Sequence, residues 1–117
     1  MPLYVATGIQ ADIPLLTAAP VVLSYGPTGI WYFRFDNSAN AAITYVQIFS
    51  NTNLNNIMVG QTLPLDVVPI PANGFWSDCF AHASAYPLPF GLAIAATTTR
   101  GGSVSPTTGI AATISYR

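Results

Sequence analysis

Hydrophobic positions recur with a period of two along almost the whole chain, the spacing of half-buried strands rather than of helices. In IWYFRFD, Trp31, Phe33 and Phe35 fall on one side and Ile30, Tyr32, Arg34 and Asp36 on the other, so the aromatic trio is expected inward. Near the end, Ile110, Ala112, Ile114 and Tyr116 alternate with Ala111, Thr113, Ser115 and Arg117. In GLAIAATTT, Leu92, Ile94 and Ala96 alternate with Ala93, Ala95 and Thr97, and the small outer residues allow another surface to approach closely. AITYVQIFS (42–50) and PLDVVPIP (64–71) are apolar on both sides, the pattern of strands covered on both faces. Pro64, Pro69 and Pro71 cannot donate to a ladder, which places 64–71 at an edge or a bulge.

Seven strand runs result: 20–25, 30–36, 42–50, 64–71, 75–82, 91–99 and 109–117. Asn73-Gly74 is a strong turn pair and predicts a hairpin over 64–82. The last two of these runs, within 92–117, read as a hairpin of two strands joined by a polar loop. The Asn-rich stretch 50–62 is a long loop with room for one helical turn, and no ten-residue helical window survives the placement of Pro and Gly. Residues 1–19 are either an eighth strand at an edge or an extended arm able to pair with another chain's edge. The expectation is all-β: a single antiparallel β-sandwich of seven to eight strands, jelly-roll or immunoglobulin-like, over 20–117, with the arm or edge strand over 1–19.

Charge changes this picture most. The 117 residues form one domain by length, long enough to bury a core without staples. They contain no Lys and no Glu; the ionic residues are Asp12, Arg34, Asp36, Asp66, Asp78, Arg100 and Arg117. That is 6% charged, against about 25% in an ordinary soluble domain. Spread over the roughly 6,000 Å² that a folded chain of this mass exposes, so few charges favour association over colloidal solubility. A partner is therefore expected to cover the nearly neutral segment 92–117, with Thr, Ser, Asn and Gln wetting the rest. No uncharged apolar run is long enough for a membrane span, and the strand runs are too short for a lipid-facing barrel. MPLYVATGIQ has neither a basic nor an apolar leader region, so no secretory signal is expected. There is no basic patch for nucleic acid.

Reactive side chains are few. Asp78, Cys79 and His82 are the tight cluster, but alternation turns Cys79 away from Asp78 and His82, and one Cys with one His cannot fill a zinc site. The expected roles are a packed Cys and a His beside a loop. Ser77 or Ser84 with Asp78 and His82 would make a minimal triad, yet no nucleophile elbow marks either serine. The four Asp lie in four separate segments; any two meeting in space would form a glycosidase-like pair, whereas turn capping or solvation is expected of Asp36 and Asp66. The loop 97–109 lacks a phosphate-binding glycine pattern and reads as a connection with Arg100 at its tip. Trp31 is expected in the core. Trp76 shares a face with Asp78 and, with Tyr86, is a candidate for stacking on a sugar. No catalytic residue, metal or cofactor is predicted.

ITYVQIFS, LPLDVVPIP and the closing FGLAIAATTTRGGSVSPTTGIAATISYR together resemble small β-sandwich virion proteins of tailed bacteriophages, over residues 43–117. The resemblance implies a non-enzymatic capsid decoration, or cement, protein, or a head- or tail-fibre component. It implies a homotrimer on the outer capsid surface that clamps subunits of the major capsid protein and is made in the host cytoplasm. No nucleic acid, membrane or small-molecule substrate is expected as a partner. Candidate contact residues are Leu3, Tyr4, Val5, Ile9 and Ile13 in the arm, with Arg34, Arg100 and Arg117. The alternative is a receptor- or glycan-binding module using Trp76 and Tyr86.

Overall fold

The computed structural model describes residues 9–79 and 86–117. Its strands are β1 (Ile9–Leu16), β2 (Val21–Ser24), β3 (Thr28–Asp36), β4 (Thr44–Phe49), β5 (Asp66–Ile70), β6 (Phe75–Cys79), β7 (Tyr86–Leu88), β8 (Leu92–Thr97) and β9 (Ile110–Tyr116). The 50–65 loop carries the expected single turn, a 3-10 helix at Leu54–Asn56. One sheet runs β1-β9-β3-β6, with β7 also on β3; the other runs β2-β8-β4-β5. All pairings are antiparallel.

The pairs β4·β5, β3·β6 with β7, β2·β8 and β1·β9 nest around the 50–65 loop, as in one long double-stranded ribbon. The ribbon rolls over on itself, and the contacts β3·β9 and β4·β8 close it into two sheets. This is the jelly-roll order, so of the two expected sandwiches the described residues adopt that one. The strand number differs slightly from expectation because β6 and β7 share one side of β3.

Two local expectations change. Residues 92–117 are not a hairpin: β8 and β9 lie in different sheets, and 98–109 crosses between them. The same holds for 64–82, where the turn at Asn73-Gly74 carries the chain from β5 in one sheet to β6 in the other. Asn73 takes a left-handed conformation (φ 56°), so the turn chemistry is as expected. A tight turn and a crossing between packed sheets both need such a residue, and sequence does not separate them.

The core between the sheets holds Phe33, Phe35, Val46, Ile48, Ile94, Ile110 and Ile114, among others. The inward face of β9 is as its alternation predicts, and the Tyr116 hydroxyl donates to Leu23 O at 2.9 Å, tying one sheet to the other. Trp31 does not join Phe33 and Phe35. An irregularity in the β3·β9 register between Ile30 and Tyr32 resets the alternation, so Ile30 is buried and Trp31 is only half-buried.

A second apolar layer lies outside the β8–β4 sheet. Phe49, Ala93 and Ala95 are buried beneath Leu54 and Ile57 of the 50–65 loop. Strands 42–50 and 91–99 look apolar on both sides for this reason: the chain covers its own second face. The small outer residues of β8 admit this loop, so β8 does not need another chain to bury it.

Residues 9–16 form β1, which among the described residues lies at the sheet margin and pairs only with β9. β5 is the opposite margin of the other sheet, and Pro69 sits there opposite Tyr45, where its missing N–H costs no ladder bond to a further strand.

Candidate functional site

Among the described residues, β5 and β6 end the two sheets on the same side of the sandwich. β3 pairs with β6 so that Phe33 lies opposite Asp78 and Phe35 opposite Trp76. Trp76 and Asp78 therefore share the face of their sheet that turns toward the other sheet. Among the described residues β6 ends that sheet, so their side chains lie at the rim of the core. From the other sheet, Asp66, Val67, Val68 and Pro69 of β5 form the facing wall. Between them is a groove of about 360 Å³ with Phe33 on its floor. This is within the range of small-molecule sites.

Phe33 is buried and stacks on Phe35 at a centroid distance of 5.1 Å, giving the groove a stiff base. Trp76 is 46% exposed, with its ring available at the mouth. Asp78 Oδ1 accepts from Cys79 N at 2.9 Å, and Asp66 Oδ1 accepts from Val67 N at 2.8 Å. Each carboxylate is thus oriented by its own strand, at the two sides of one opening. A second, smaller cavity of about 130 Å³ lies between residues 40–44 and the 98–109 crossing.

Of the carboxylates expected only to cap or solvate, Asp36 does cap: its Oδ1 accepts from Ser38 N at 2.9 Å. Hydrogen bonds from Ser38, through its side chain and then its backbone, hold the Asp36 carboxyl below its ordinary value of 3.8, with a smaller pull from Arg34. Asp66, by contrast, joins Asp78 at the groove. An isolated carboxylate in the otherwise apolar PLDVVPIP was the available signal. Its position opposite Trp76 follows from how the sheets pack, which alternation does not encode.

The outer face of the first sheet carries another row, Asp12–Thr113–Arg34–Ser77, in register across four strands. Thr113 Oγ1 donates to Asp12 Oδ1 at 2.9 Å. All three arginines lie over aromatic rings of their own chain: Arg34 over Phe75 at 4.2 Å, Arg100 over Tyr45 at 5.4 Å and Arg117 over Trp31 at 5.9 Å. Ile9 is exposed on β1, and Ile13 is half-buried against the main core. Leu3, Tyr4, Val5, His82 and Ser84 lie outside the described residues, and Tyr86 enters only through its backbone pairing with Ile30.

Cys79 is exposed, not packed, because it sits on the outer face of a marginal strand, turned away from Asp78. Among the described residues, no three His, Cys, Asp or Glu side chains gather as a metal site. No helix among them is long and apolar enough to cross a membrane. No protein-family model, curated protein or solved structure matches the chain.

Proposed function

We propose that this chain is a structural virion protein, a capsid decoration protein that binds the outer shell of a tailed phage as an oligomer. The resemblance over residues 43–117 supports this reading, as does the jelly-roll order, an architecture common among capsid and lectin domains. Fold alone does not assign function, so the observation that carries the reading is a surface property. With the outer face of β8 already covered by the chain's own loop, large apolar side chains still stand in solvent at the margins. Leu63 is 88% exposed, with Leu65 beside it; Leu15 and Ile9 are exposed on β1; Val104 is exposed in the 98–109 crossing. Only seven ionic residues serve the whole sequence. A surface so poor in charge and rich in aliphatic side chains suits burial against other subunits.

The mechanism is mechanical. Each oligomer, taken as a trimer, adds apolar contact across seams between major capsid protein subunits and raises the barrier to their separation. At about 25 cal/mol per Å² of apolar burial, modest contact repeated over many copies accumulates. The edge of β1, unpaired among the described residues, offers backbone groups for strand addition to a coat subunit. Such a protein is made in the host cytoplasm and ends on the virion surface, with no catalytic role.

The test combines mass and occupancy. The expected result is an oligomer by light scattering and added density on purified phage shells by electron microscopy. A chain that stays monomeric at high concentration and leaves shells bare overturns the reading.

A further inference from the structure

We propose that Asn73 is a site of spontaneous deamidation, and that its conversion to isoaspartate undoes the turn carrying the chain from β5 to β6. This goes beyond shell binding and does not depend on it.

The chemistry needs a nucleophile that can reach the side-chain amide. The backbone N of Gly74, once deprotonated, attacks Cγ of Asn73; the Cγ–Nδ2 bond breaks, ammonia leaves and a succinimide closes. Water then adds to one of the two ring carbonyls. Opening at Cγ gives aspartate, whereas opening at the main-chain carbonyl leaves the chain running through the side chain as isoaspartate. One ammonia is lost for one water consumed, and no electrons are transferred. A side chain on the residue supplying the nitrogen crowds this attack, and glycine has none. Asn73 alone among the asparagines precedes a glycine; those of 51–56 precede Thr, Leu, Asn and Ile.

Sequence ranks Asn37 next, since it precedes the small Ser38, and the structure separates the two. Asn37 is fully buried; its Nδ2 donates to Ala42 O and Pro71 O, and its Oδ1 accepts from Asn40 and Thr44. The nitrogen that would attack it, Ser38 N, donates to Asp36 Oδ1 at 2.9 Å. Both reacting groups are therefore held. By contrast, Pro71, Ala72 and Asn73 are exposed, and among the described residues the Asn73 amide makes no hydrogen bond. Gly74 N donates to Pro71 O at 3.2 Å, so freeing it takes the opening of one surface turn, not of a sheet.

The same turn is anchored on both sides. Asn73 N donates to Asn40 O at 2.8 Å, and Gly74 O accepts from Asn37 N at 2.7 Å. Isoaspartate adds a methylene to the main chain between these anchors and shifts them out of register. Aspartate keeps the main-chain length and, like asparagine, tolerates the left-handed conformation of this position. Either product adds one carboxylate to a chain whose formal net charge is −1.

The experiment is ageing of the full chain in warm, mildly alkaline buffer. Peptide mapping by mass spectrometry locates each conversion, and electron-transfer fragmentation tells isoaspartate from aspartate. The expected result is conversion at Asn73 before any other asparagine, with isoaspartate among the products. Unfolding in urea accelerates Asn37 far more than Asn73, because it releases a buried amide. Gly74→Ala slows the conversion severalfold, and Asn73→Gly, which suits the left-handed φ, abolishes it. A Cβ at Gly74 meets Pro71 Cγ at 3.3 Å, so thermal melts accompany the variants, while the site of first conversion is read on the parent chain. The isoaspartate fraction, separated by ion exchange, melts below fresh protein, and the aspartate fraction melts close to it. Earlier conversion at another asparagine overturns the assignment. So does an Asn73 that stays intact in the folded chain while it converts in urea, or a rate indifferent to Gly74→Ala in a variant that melts with the parent. An isoaspartate fraction as stable as fresh protein overturns the effect on the turn.

Discussion

Asn40 holds Thr108 with both ends of its amide: Nδ2 donates to Thr108 O at 2.8 Å, and Oδ1 accepts from Thr108 N at 2.9 Å. A side chain thus does the work of a strand partner where no strand is present. Asn40 Nδ2 also donates to Asn37 Oδ1 at 2.8 Å, and Thr44 Oγ1 donates to the same oxygen at 2.7 Å. Asn37 Nδ2 in turn donates to Ala42 O at 2.9 Å and Pro71 O at 3.1 Å. Three connections at one end of the sandwich meet in this buried knot. Asn40→Ala would remove both side-chain bonds to the Thr108 backbone and one of the two donors to Asn37 Oδ1. The expected cost is about 3 kcal/mol, read as a lowered denaturant midpoint with an unchanged slope.

Gly91 has φ +118°, and a Cβ there would run into Ser24 O and the Leu54 side chain. Gly91→Ala should destabilise by more than about 2 kcal/mol through strain and overpacking together. Gly26→Ala is the matched control, since nothing lies within 4 Å of a Cβ at that position. Thermal melts of the two variants should therefore diverge.

Phe35 is fully buried, whereas Phe75 on the outer face is 51% exposed beneath Arg34. Phe35→Ala should cost about 3–5 kcal/mol by opening a cavity. Phe75→Ala should cost about 1 kcal/mol or less, the scale of an exposed cation–π contact. Urea titrations of both variants provide the comparison.

Ala95 and Ala111 are both small strand residues pointing away from the main core, yet Ala95 is buried under the 50–65 loop and Ala111 is exposed. Ala95→Glu should prevent folding or displace the loop, because it buries a charge without a partner. Ala111→Glu should cost only about 1 kcal/mol or less, from a carboxylate placed across the strands from Asp36. Limited proteolysis of the 50–65 loop reads the difference directly.

The lowered pKa of Asp36 makes a signed prediction. Its carboxylate is favoured in the folded state, so its contribution is fully present above the ordinary value of 3.8 and fades as pH falls through the lower folded value. Asp36→Asn lacks this titration. The stability advantage of the parent chain over the variant should be constant near neutral pH and shrink below pH 3.8, as followed by melts across an acid series.

Much of the strand content was legible in alternation, and the reasons for the misses are physical. Ile110, Ala112, Ile114 and Tyr116 face inward as read, because β9 pairs on both sides and a one-residue slip would expose all four. Trp31 was misplaced because a register irregularity beside Ile30 has no signature in the residue types themselves. Sheet membership was illegible: Asn73-Gly74 serves a crossing as well as it serves a hairpin. The small outer residues of β8 do admit a covering surface, but Leu54 and Ile57 of the same chain supply it over Ala93 and Ala95, where the expectation was a partner. At the groove, the shared face of Trp76 and Asp78 was readable from spacing within β6. The arrival of Asp66 across from them required the fold.

Strand β9 lies between β1 and β3, so the earliest and the latest described strands are neighbours, and the first sheet has no middle without Ile110–Tyr116. During synthesis, β1 and β3 emerge with nothing to join them, and they wait for most of the polypeptide before their common neighbour leaves the ribosome. A jelly roll of this order gains little from its first half alone. It should assemble late and slowly, in a single concerted closure, and its nascent strands should lean on chaperones until that moment.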